Sequence, residues 1–470
     1  MLGEASWNGA GAFAALLCLV LAAALRSRLV FVIAAICWVQ NLLLPWWYTQ
    51  DWIDEPVARA LLLVKELLLL AVLAHAAWQA RDVWRSPVPA PIVWALAYGA
   101  WVVLRIGLGV GLAGEPLVEN LRLVRSVLFP VITVLAAFHV ALLAPRLPAR
   151  YLRFTVAGIA VCAAVSLALY FLPSNDFWLN EINIAAYNVN VKGDLEWTVL
   201  SALGTAGSAA GRLPFQALSR FRLFGTFGDP LTAGMVLALG VMAVAVRRRL
   251  SAGTRGAALV LAAALFLTFT RSAWVLAAVG VCYLALVQRR LARIGLLLGV
   301  AAALWVTLAP LRQFVLSTLA AFEMETSDVY HALGIVNFYS TEMLRPEYIL
   351  GSGALDTSAQ TWYLENGFAY LMVQFGVPLL VCFVGLCLSA ERYLRRHASP
   401  DDLVARLGAA CALATLIAAN FSSLQAQSFT AYFGIWSVVG LGIGLLHRRE
   451  IEHAVAAAAA ALPDPAAAPA

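Results

Sequence analysis

The chain has 470 residues, of which 62% are hydrophobic and 12% are charged. Soluble domains are about 45–50% apolar and about 25% charged. A soluble fold of this length could not cover so much apolar surface, so the composition excludes that class and predicts a polytopic membrane protein. The net charge is +6, and all but two of the 32 cations are arginines. The arginines lie at the ends of apolar runs and form no single patch, which argues against binding to nucleic acid.

The seven cysteines lie inside apolar runs and lack the spacing of a metal site. We expect free thiols that pack as small apolar side chains, with no disulfide and no metal. The first apolar run, 10–25, has no basic region before it, so no cleavable signal peptide is predicted.

Apolar runs of about 20 residues predict an all-α fold with twelve or thirteen transmembrane helices. The runs are 9–25, 29–48, 57–77, 91–112, 121–143, 152–172, 229–246, 256–270, 272–288, 294–311, 368–389, 403–421 and 431–446. The count is open because 256–270 and 272–288 are short and only Arg271 separates them.

These runs divide the chain into three helical parts and two long connections. The predicted parts are an N-terminal bundle (1–172), a first loop (173–228), central helices (229–311), a second loop (312–367), C-terminal helices (368–449) and a tail (450–470). The tail is rich in Ala and Pro and is predicted to be disordered. In the first loop, the alternation of Tyr187, Val189 and Val191 with polar residues predicts a small β-hairpin.

The arginines also orient the chain. With the N-terminus outside, every second connection is cytoplasmic, and twenty of the 32 cations fall in those connections. Both long loops then lie on the outer face, and the C-terminus is cytoplasmic.

Twelve cations break this pattern and lie on the outer side or inside spans. They are Arg59, Lys65, Arg105, Arg122, Arg125, Lys192, Arg212, Arg220, Arg222, Arg271, Arg312 and Arg345. Guanidinium groups bind phosphate oxygens in pairs, so the set predicts a cationic cavity for a polyanion at the outer membrane boundary. The alternative is that each one snorkels to lipid phosphates or pairs with an acid. For any single one of these cations we favour snorkelling, except for Arg222 and Arg271, which lie in patterned segments and for which we favour the binding role.

Lys65 and Glu66 are neighbours inside the third predicted span. Adjacent residues on a helix point about 100° apart, so they do not face each other. We therefore expect each to have its own partner in a structural role.

Five short segments, in order, resemble the signatures of one family. Residues 220–230 (Arg-Phe-Arg-Leu-Phe-Gly-Thr-Phe-Gly-Asp-Pro) resemble the R-x-x-G-T-F-x-x-P signature of the bacterial O-antigen ligase and polysaccharide polymerase family. Residues 267–273 are similar to its T-x-S-R-G turn. Residues 350–353, 365–368 and 374–376 are similar to its G-x-G, acid-or-histidine–Asn and E-x-G elements. The resemblance covers about 220–390.

The resemblance implies a multi-pass glycosyltransferase of the bacterial inner membrane. It would take a glycan from undecaprenyl pyrophosphate on the periplasmic side, without a metal or other cofactor. By the family pattern, Arg222 and Arg271 hold the pyrophosphate and Glu365 is the catalytic base. Further candidates for substrate binding are Arg220, Arg122, Arg125, Arg105, Asn366, His331 and Trp362.

Two departures from the ligase pattern leave alternatives open. Glu365 stands where lipopolysaccharide ligases have His, and His331 stands where relatives have Arg. A carboxylate base favours a polymerase that joins lipid-linked repeat units. The alternatives are a ligase that moves the finished glycan to lipid A core and, third, a lipid-linked oligosaccharide flippase. Glu365 is equally compatible with a helix cap, and a surface role is favoured for His331. The expected partners are the lipid-linked glycan and the bilayer, with a chain-length regulator left open.

Overall fold

The computed structural model describes most of the helical regions of the chain. The described residues are 26–79, 81, 86–112, 117–171, 181–191, 223, 225–247, 251–268, 270–289, 339–340, 343, 345–352, 366–422 and 428–460. Among these residues the secondary structure is helical, with no strand. The predicted spans 9–25 and 294–311 and most of both long loops lie outside the described residues.

The described helices follow the hydropathy of the sequence closely. They are α1 (Leu29–Thr49), α2 (Glu55–Gln79), α3 (Ala90–Leu112), α4 (Leu117–Leu143), α5 (Leu147–Phe171), α6 (Ile184–Asn190), α7 (Pro230–Ala245), α8 (Ala252–Leu267), α9 (Arg271–Val287), α10 (Glu347–Leu350), α11 (Gly367–Phe375), α12 (Val377–His397), α13 (Leu403–Ala418) and α14 (Phe429–Ala460). Each predicted span that falls on described residues coincides with helix, so the helical prediction is confirmed there.

Five of the described helices are long and apolar enough to cross a membrane: α1, α3, α5, α12 and α14. Shorter apolar helices of 10–17 residues accompany them. At 1.5 Å per residue, a 16-residue helix is about 24 Å long, somewhat less than the roughly 30 Å hydrocarbon core. The architecture is that of a polytopic α-helical membrane protein.

Helix α14 is the most deeply buried of the five long helices. Within the protein, 83% of its apolar stretch is buried, against 33–50% for the other four. Gly440 and Gly444, one turn apart, face α4, where a Cβ on either would overlap the carbonyl oxygens of Val134 and Phe138. Such small residues let two membrane helices approach closely, and van der Waals contact then holds them together.

Several arginine-rich connections meet at one end of the bundle, here called the arginine-rich end. Arg448 Nη1 donates to the carbonyl oxygen of Leu142 (2.6 Å), and Arg449 forms an ion pair with Asp402 (2.7 Å). These contacts join the end of α4, the connection before α13 and the middle of α14. The arginine pattern places the same connections on one side of the membrane.

Asp402 is held as a carboxylate in this contact. Burial raises its pKa, but hydrogen bonds from Ser399 and Arg449 outweigh burial and bring the pKa below its ordinary value. The pair therefore stabilises the folded state while Asp402 is ionised.

Two predictions outside the long helices were wrong. The segment expected to form a β-hairpin is helix α6. Ile184 and Tyr187 of α6 and Val191, which follows its end, are buried at intervals of three and four residues, which is helical spacing. Asn183 adopts a left-handed conformation (φ 45°) and caps the helix by accepting from the Ala186 N–H at 3.3 Å.

The second error concerns the tail. Helix α14 continues to Ala460, so residues 450–460 of the tail predicted to be disordered are helical. Alanine has the highest intrinsic helix propensity, and an existing helix extends without a new nucleation step. Residues 461–470 lie outside the described residues.

The predicted span 368–389 is not one helix. It is divided at Gly376 (φ 88°) into α11 and α12, and α12 runs on to His397. The cause of this break is a contact with another segment, described below.

Replacing Gly444 with Leu is expected to separate α14 from α4. Overpacking costs about 1–3 kcal/mol, so the unfolding temperature of the purified protein in detergent should fall. Gly107→Leu is the matched control, because nothing lies within 4 Å of a Cβ at Gly107 in α3. Equal unfolding temperatures for the two variants would contradict the packing argument.

The lowered pKa of Asp402 predicts acid sensitivity with a definite sign. The contribution of Asp402 to the free energy of unfolding is complete above its unfolded-state pKa of about 3.9. This contribution is lost as the pH falls through the lower pKa of the folded state. Unfolding temperatures measured from pH 7 towards pH 3 should therefore fall more for the wild type than for Asp402→Asn. Parallel curves for the two proteins would refute this assignment.

Candidate functional site

The first signature segment forms a turn that leads into α7. Gly225 and Gly228 have φ values of 45° and 70°, in the left-handed region that favours glycine. Asp229 caps α7, accepting hydrogen bonds from two backbone N–H groups at the helix start (3.2 and 2.7 Å). The glycines thus allow the chain to turn into α7, and the positive end of the α7 dipole faces an acid of this chain.

Two other helices hold this turn. Asn41 Nδ2 of α1 donates to the Phe227 carbonyl oxygen (2.8 Å), and the Thr226 N–H donates to Ser166 Oγ of α5 (3.2 Å). Neither side chain was singled out from the sequence. The available signal was a polar residue inside an apolar membrane span, which is costly and therefore informative.

The second signature segment packs against the first. The Leu223 N–H donates to the Leu267 carbonyl oxygen (2.9 Å), and Thr270 Oγ1 donates to the Pro230 carbonyl oxygen (2.9 Å). Residues 223, 225–230, 267–268 and 270–271 therefore form one unit, here called the turn cluster. Arg271, with an exposed side chain, ends this cluster and begins α9.

The fourth signature element contains Asn366, which caps α11. Its Oδ1 accepts from the N–H groups of Phe368 and Ala369 (2.9 and 3.0 Å), and its Nδ2 donates to the Asn420 carbonyl oxygen (2.9 Å). Tyr339 also donates its hydroxyl to Oδ1 (3.3 Å). Asn366 was predicted to bind substrate, but it is only 2% exposed and its amide is engaged with the protein. We assign it a positioning role.

The remaining N–H groups at the start of α11 also have partners. Gly367 donates to the Ala419 carbonyl oxygen (2.7 Å), and Tyr370 donates to the Asn366 carbonyl oxygen (2.9 Å). The N–H groups of Gly367, Phe368 and Ala369 come before the first intrahelical bond, which Tyr370 makes, and each of the three has a partner. The sequence allowed Glu365 a capping role as an alternative to catalysis, and this finding removes the need for that cap.

The third and fifth elements are in direct backbone contact. Gly351 and Gly376 have φ values of 86° and 88°, and a Cβ on Gly351 would lie 2.6 Å from the Gly376 nitrogen. Ser352 donates both its N–H and its hydroxyl to the Val373 carbonyl oxygen (2.7 and 2.8 Å). This close backbone contact explains the division between α11 and α12.

Two side chains of α3 bind backbone groups at this break. Arg105 Nη2 donates to the Gly351 carbonyl oxygen (3.0 Å), and Trp101 Nε1 donates to the Phe375 carbonyl oxygen (2.7 Å). Arg105 was predicted to bind substrate. It is 7% exposed and fixes a signature segment, so its observed role is also positioning.

Among the unusual cations inside spans, two have protein partners in the α1–α2–α4 region. Lys65 Nζ donates to Gln40 Oε1 (2.9 Å), and Glu66 forms an ion pair with Arg125 (2.5 Å). Lys65 and Glu66 thus have separate partners, as predicted. Arg125, a predicted substrate ligand, has its charge balanced by Glu66. The side chain of Arg122 lies outside the described residues.

The turn cluster and the cap of α11 lie at the same end of neighbouring helices. Helices α9 and α13 pack together, with a Cβ at Gly280 3.7 Å from Ala414. Arg271 begins α9, and Asn420 follows the end of α13. Packed helix axes are about 8–10 Å apart, and this end is opposite to the arginine-rich end. Glu365 directly precedes Asn366 in the sequence.

Five predicted site residues lie outside the described residues: Glu365, Arg222, Arg220, His331 and Trp362. Their roles stay predictions. In the described part of the chain, no group of three or more His, Cys, Asp or Glu side chains could hold a metal ion. The described cysteines are free thiols.

No protein-family model, no curated protein and no solved structure matches this chain. The functional assignment therefore depends on its residues and their geometry.

Trp101→Phe tests the bond that closes the break between α11 and α12. The substitution leaves a buried carbonyl group unbound, which costs about 1–3 kcal/mol. The unfolding temperature in detergent should fall, whereas Trp78→Phe, at a side chain 72% exposed, should leave it nearly unchanged. A similar small change in both variants would show that this bond contributes little.

Proposed function

We propose that the chain is a metal-independent glycosyltransferase of the bacterial inner membrane. It polymerises undecaprenyl-pyrophosphate-linked oligosaccharide repeat units of O-antigen, capsule or exopolysaccharide on the periplasmic side. The observation that carries the proposal is the turn cluster. Two signature segments about 40 residues apart are hydrogen-bonded to each other, with Arg271 exposed beside them.

Arg271 is suited to a pyrophosphate leaving group. It begins a 17-residue helix whose dipole is positive at that end. The Thr270 hydroxyl donates to the Pro230 carbonyl oxygen, and the Thr270 side chain does not cap α9. A guanidinium fixed at such a position stabilises the charge that develops on phosphate oxygens, without a divalent ion. Arg222, directly before Leu223 in the sequence, supplies the second cation in this proposal.

Glu365 acts as the general base in the proposed reaction. The acceptor sugar hydroxyl attacks the anomeric carbon of the donor and forms the new glycosidic bond, while the bond from that carbon to the pyrophosphate oxygen breaks. The hydroxyl proton goes to Glu365, and undecaprenyl pyrophosphate leaves. The cap at Asn366 supports this role, because Asn366 directly follows Glu365 in the sequence and is itself engaged in four side-chain hydrogen bonds.

A flippase is less well supported. Broken membrane helices occur in transporters, where free carbonyl groups at the break bind ions. At the break between α11 and α12, the carbonyl oxygens of Val373 and Phe375 are already bound by Ser352 and Trp101. This break is closed within the protein, which favours a rigid site over a transport pathway.

The first test is transfer by the purified protein in nanodiscs supplied with undecaprenyl-pyrophosphate-linked repeat units. Arg271→Ala should lower the rate of chain growth about 100-fold or more, as loss of a charge-stabilising donor does in other enzymes. Glu365→Gln should abolish growth. Arg59→Ala is the matched control, because Arg59 is another unusual cation but is paired with Glu55 (2.5 Å). Wild-type protein that transfers no sugar would refute the proposal.

A second test separates the polymerase from the ligase. In a strain lacking the protein, single repeat units on the carrier or on lipid A core would identify a polymerase. Long chains stranded on the carrier, with bare core, would identify a ligase and overturn the polymerase assignment.

A further inference from the structure

Helices α1 and α5 each place one polar side chain against the turn before α7. Asn41 lies twelve residues into the 21-residue apolar helix α1, and Ser166 lies near the end of α5. A polar group in a membrane span is costly unless it is bound, so these positions call for an explanation. Both side chains are bound to the backbone of one segment, Gly225–Phe227.

Asn41 is matched to Gly228. Its Nδ2 donates to the Phe227 carbonyl oxygen (2.8 Å), and a Cβ on Gly228 would lie 2.7 Å from the Asn41 Cβ and 2.8 Å from its carbonyl oxygen. The turn thus lies directly on the backbone of α1. Only glycine fits there, both for space and for its φ of 70°.

Ser166 is matched to Gly225 in the same way. Its hydroxyl, fully buried, accepts from the Thr226 N–H (3.2 Å), and a Cβ on Gly225 would overlap this side chain. The turn is therefore fixed at two points three residues apart, by two helices that contribute no other residue to the proposed chemistry.

The segment Gly225–Pro230 also holds Thr270, the residue before Arg271. Pro230, two residues after Gly228, accepts the hydrogen bond of Thr270 (2.9 Å), and Thr270 is 2% exposed. A Cβ on Gly234, one turn into α7, would lie 2.8 Å from the Ala273 Cβ of α9. A shift of the turn would therefore move the start of α9, where Arg271 lies.

We infer that Asn41 and Ser166 are positioning residues for the pyrophosphate site. They hold the turn cluster so that Arg271 meets the pyrophosphate of the lipid-linked donor, and they do so without touching the donor. The inference rests on the proposed function. The ligand class is a lipid-linked pyrophosphate.

The test measures affinity for undecaprenyl pyrophosphate in nanodiscs and KM for the lipid-linked donor. Asn41→Leu keeps the side-chain volume but removes the donor group, and Ser166→Ala removes the acceptor with the smallest change of shape. Each should raise Kd and KM about tenfold, the size expected for one lost hydrogen bond, with kcat changed less.

Two controls separate positioning from stability. The first control is Gln40→Met, next to Asn41 in the sequence. The Gln40 amide accepts from Lys65 and donates to the Leu61 carbonyl oxygen. This substitution should lower the unfolding temperature and leave Kd unchanged. Ser389→Ala removes a hydroxyl that bonds only within its own helix, to Leu386 at 3.2 Å, and should change neither.

A double-mutant cycle gives the decisive result. If Asn41 acts through Arg271, Asn41→Leu should raise Kd in the wild type but have little further effect in Arg271→Ala, because coupled sites are not additive. Ser166→Ala should behave likewise, so the inference stays testable if Asn41→Leu does not fold.

Additive effects, or an unchanged Kd in both variants, would overturn the inference while leaving transfer by the wild type intact. Absence of transfer by the wild type would instead refute the proposed function and the inference with it. The Kd for inorganic pyrophosphate, measured in place of that for the lipid, shows whether the site binds the pyrophosphate group alone. Equal losses of affinity for both probes are expected, and a loss confined to the lipid probe would refute positioning of the pyrophosphate ligand.

Discussion

Backbone groups that leave a helix inside an apolar bundle must find partners within the protein, because the hydrocarbon core offers no water. This requirement governs the break at Gly376 and the turn before α7. At the break, Trp101 and Ser352 donate to carbonyl groups near the end of α11. At the turn, Asn41 donates to the Phe227 carbonyl oxygen, and Ser166 accepts from the Thr226 N–H. Each irregular segment is thereby tied to the helices around it, which suits the fixed charges of the proposed site.

The same requirement explains why the signature segments depend on helices outside them. The resemblance covers about 220–390, yet Asn41, Trp101, Arg105 and Ser166 all lie in the N-terminal bundle. These side chains fix the backbone of the signature segments from α1, α3 and α5. The N-terminal bundle therefore contributes shape to the proposed site, even where its sequence carries only hydropathy.

The sequence predicted what depends on local pattern and missed what depends on distant contacts. Runs of apolar residues predicted the helices, and spacing around the helix predicted that Lys65 and Glu66 have separate partners. The break at Gly376 was missed because its cause is Gly351, about 25 residues away. Asn41 and Ser166 were missed because a lone polar residue in an apolar span shows that a partner exists but not which one. Tyr187 and Val191 were misread because a spacing of four fits helix as well as alternation.

The structure also reduces the number of cations available for the anion-binding cavity that the sequence suggested. The sequence suggested that these arginines form one binding surface, but two of them bind groups of the protein. Arg125 is balanced by Glu66, and Arg105 is directed at a backbone carbonyl. To bind an anion, Arg105 would have to break a buried contact, and Arg125 would leave the buried carboxylate of Glu66 without its ion pair, which is costly. Arg271 is exposed at the positive end of a helix and so is the described cation best placed for a pyrophosphate. In the proposed function the anion therefore binds at the start of α9, and Arg105 and Arg125 contribute through the protein contacts that they make.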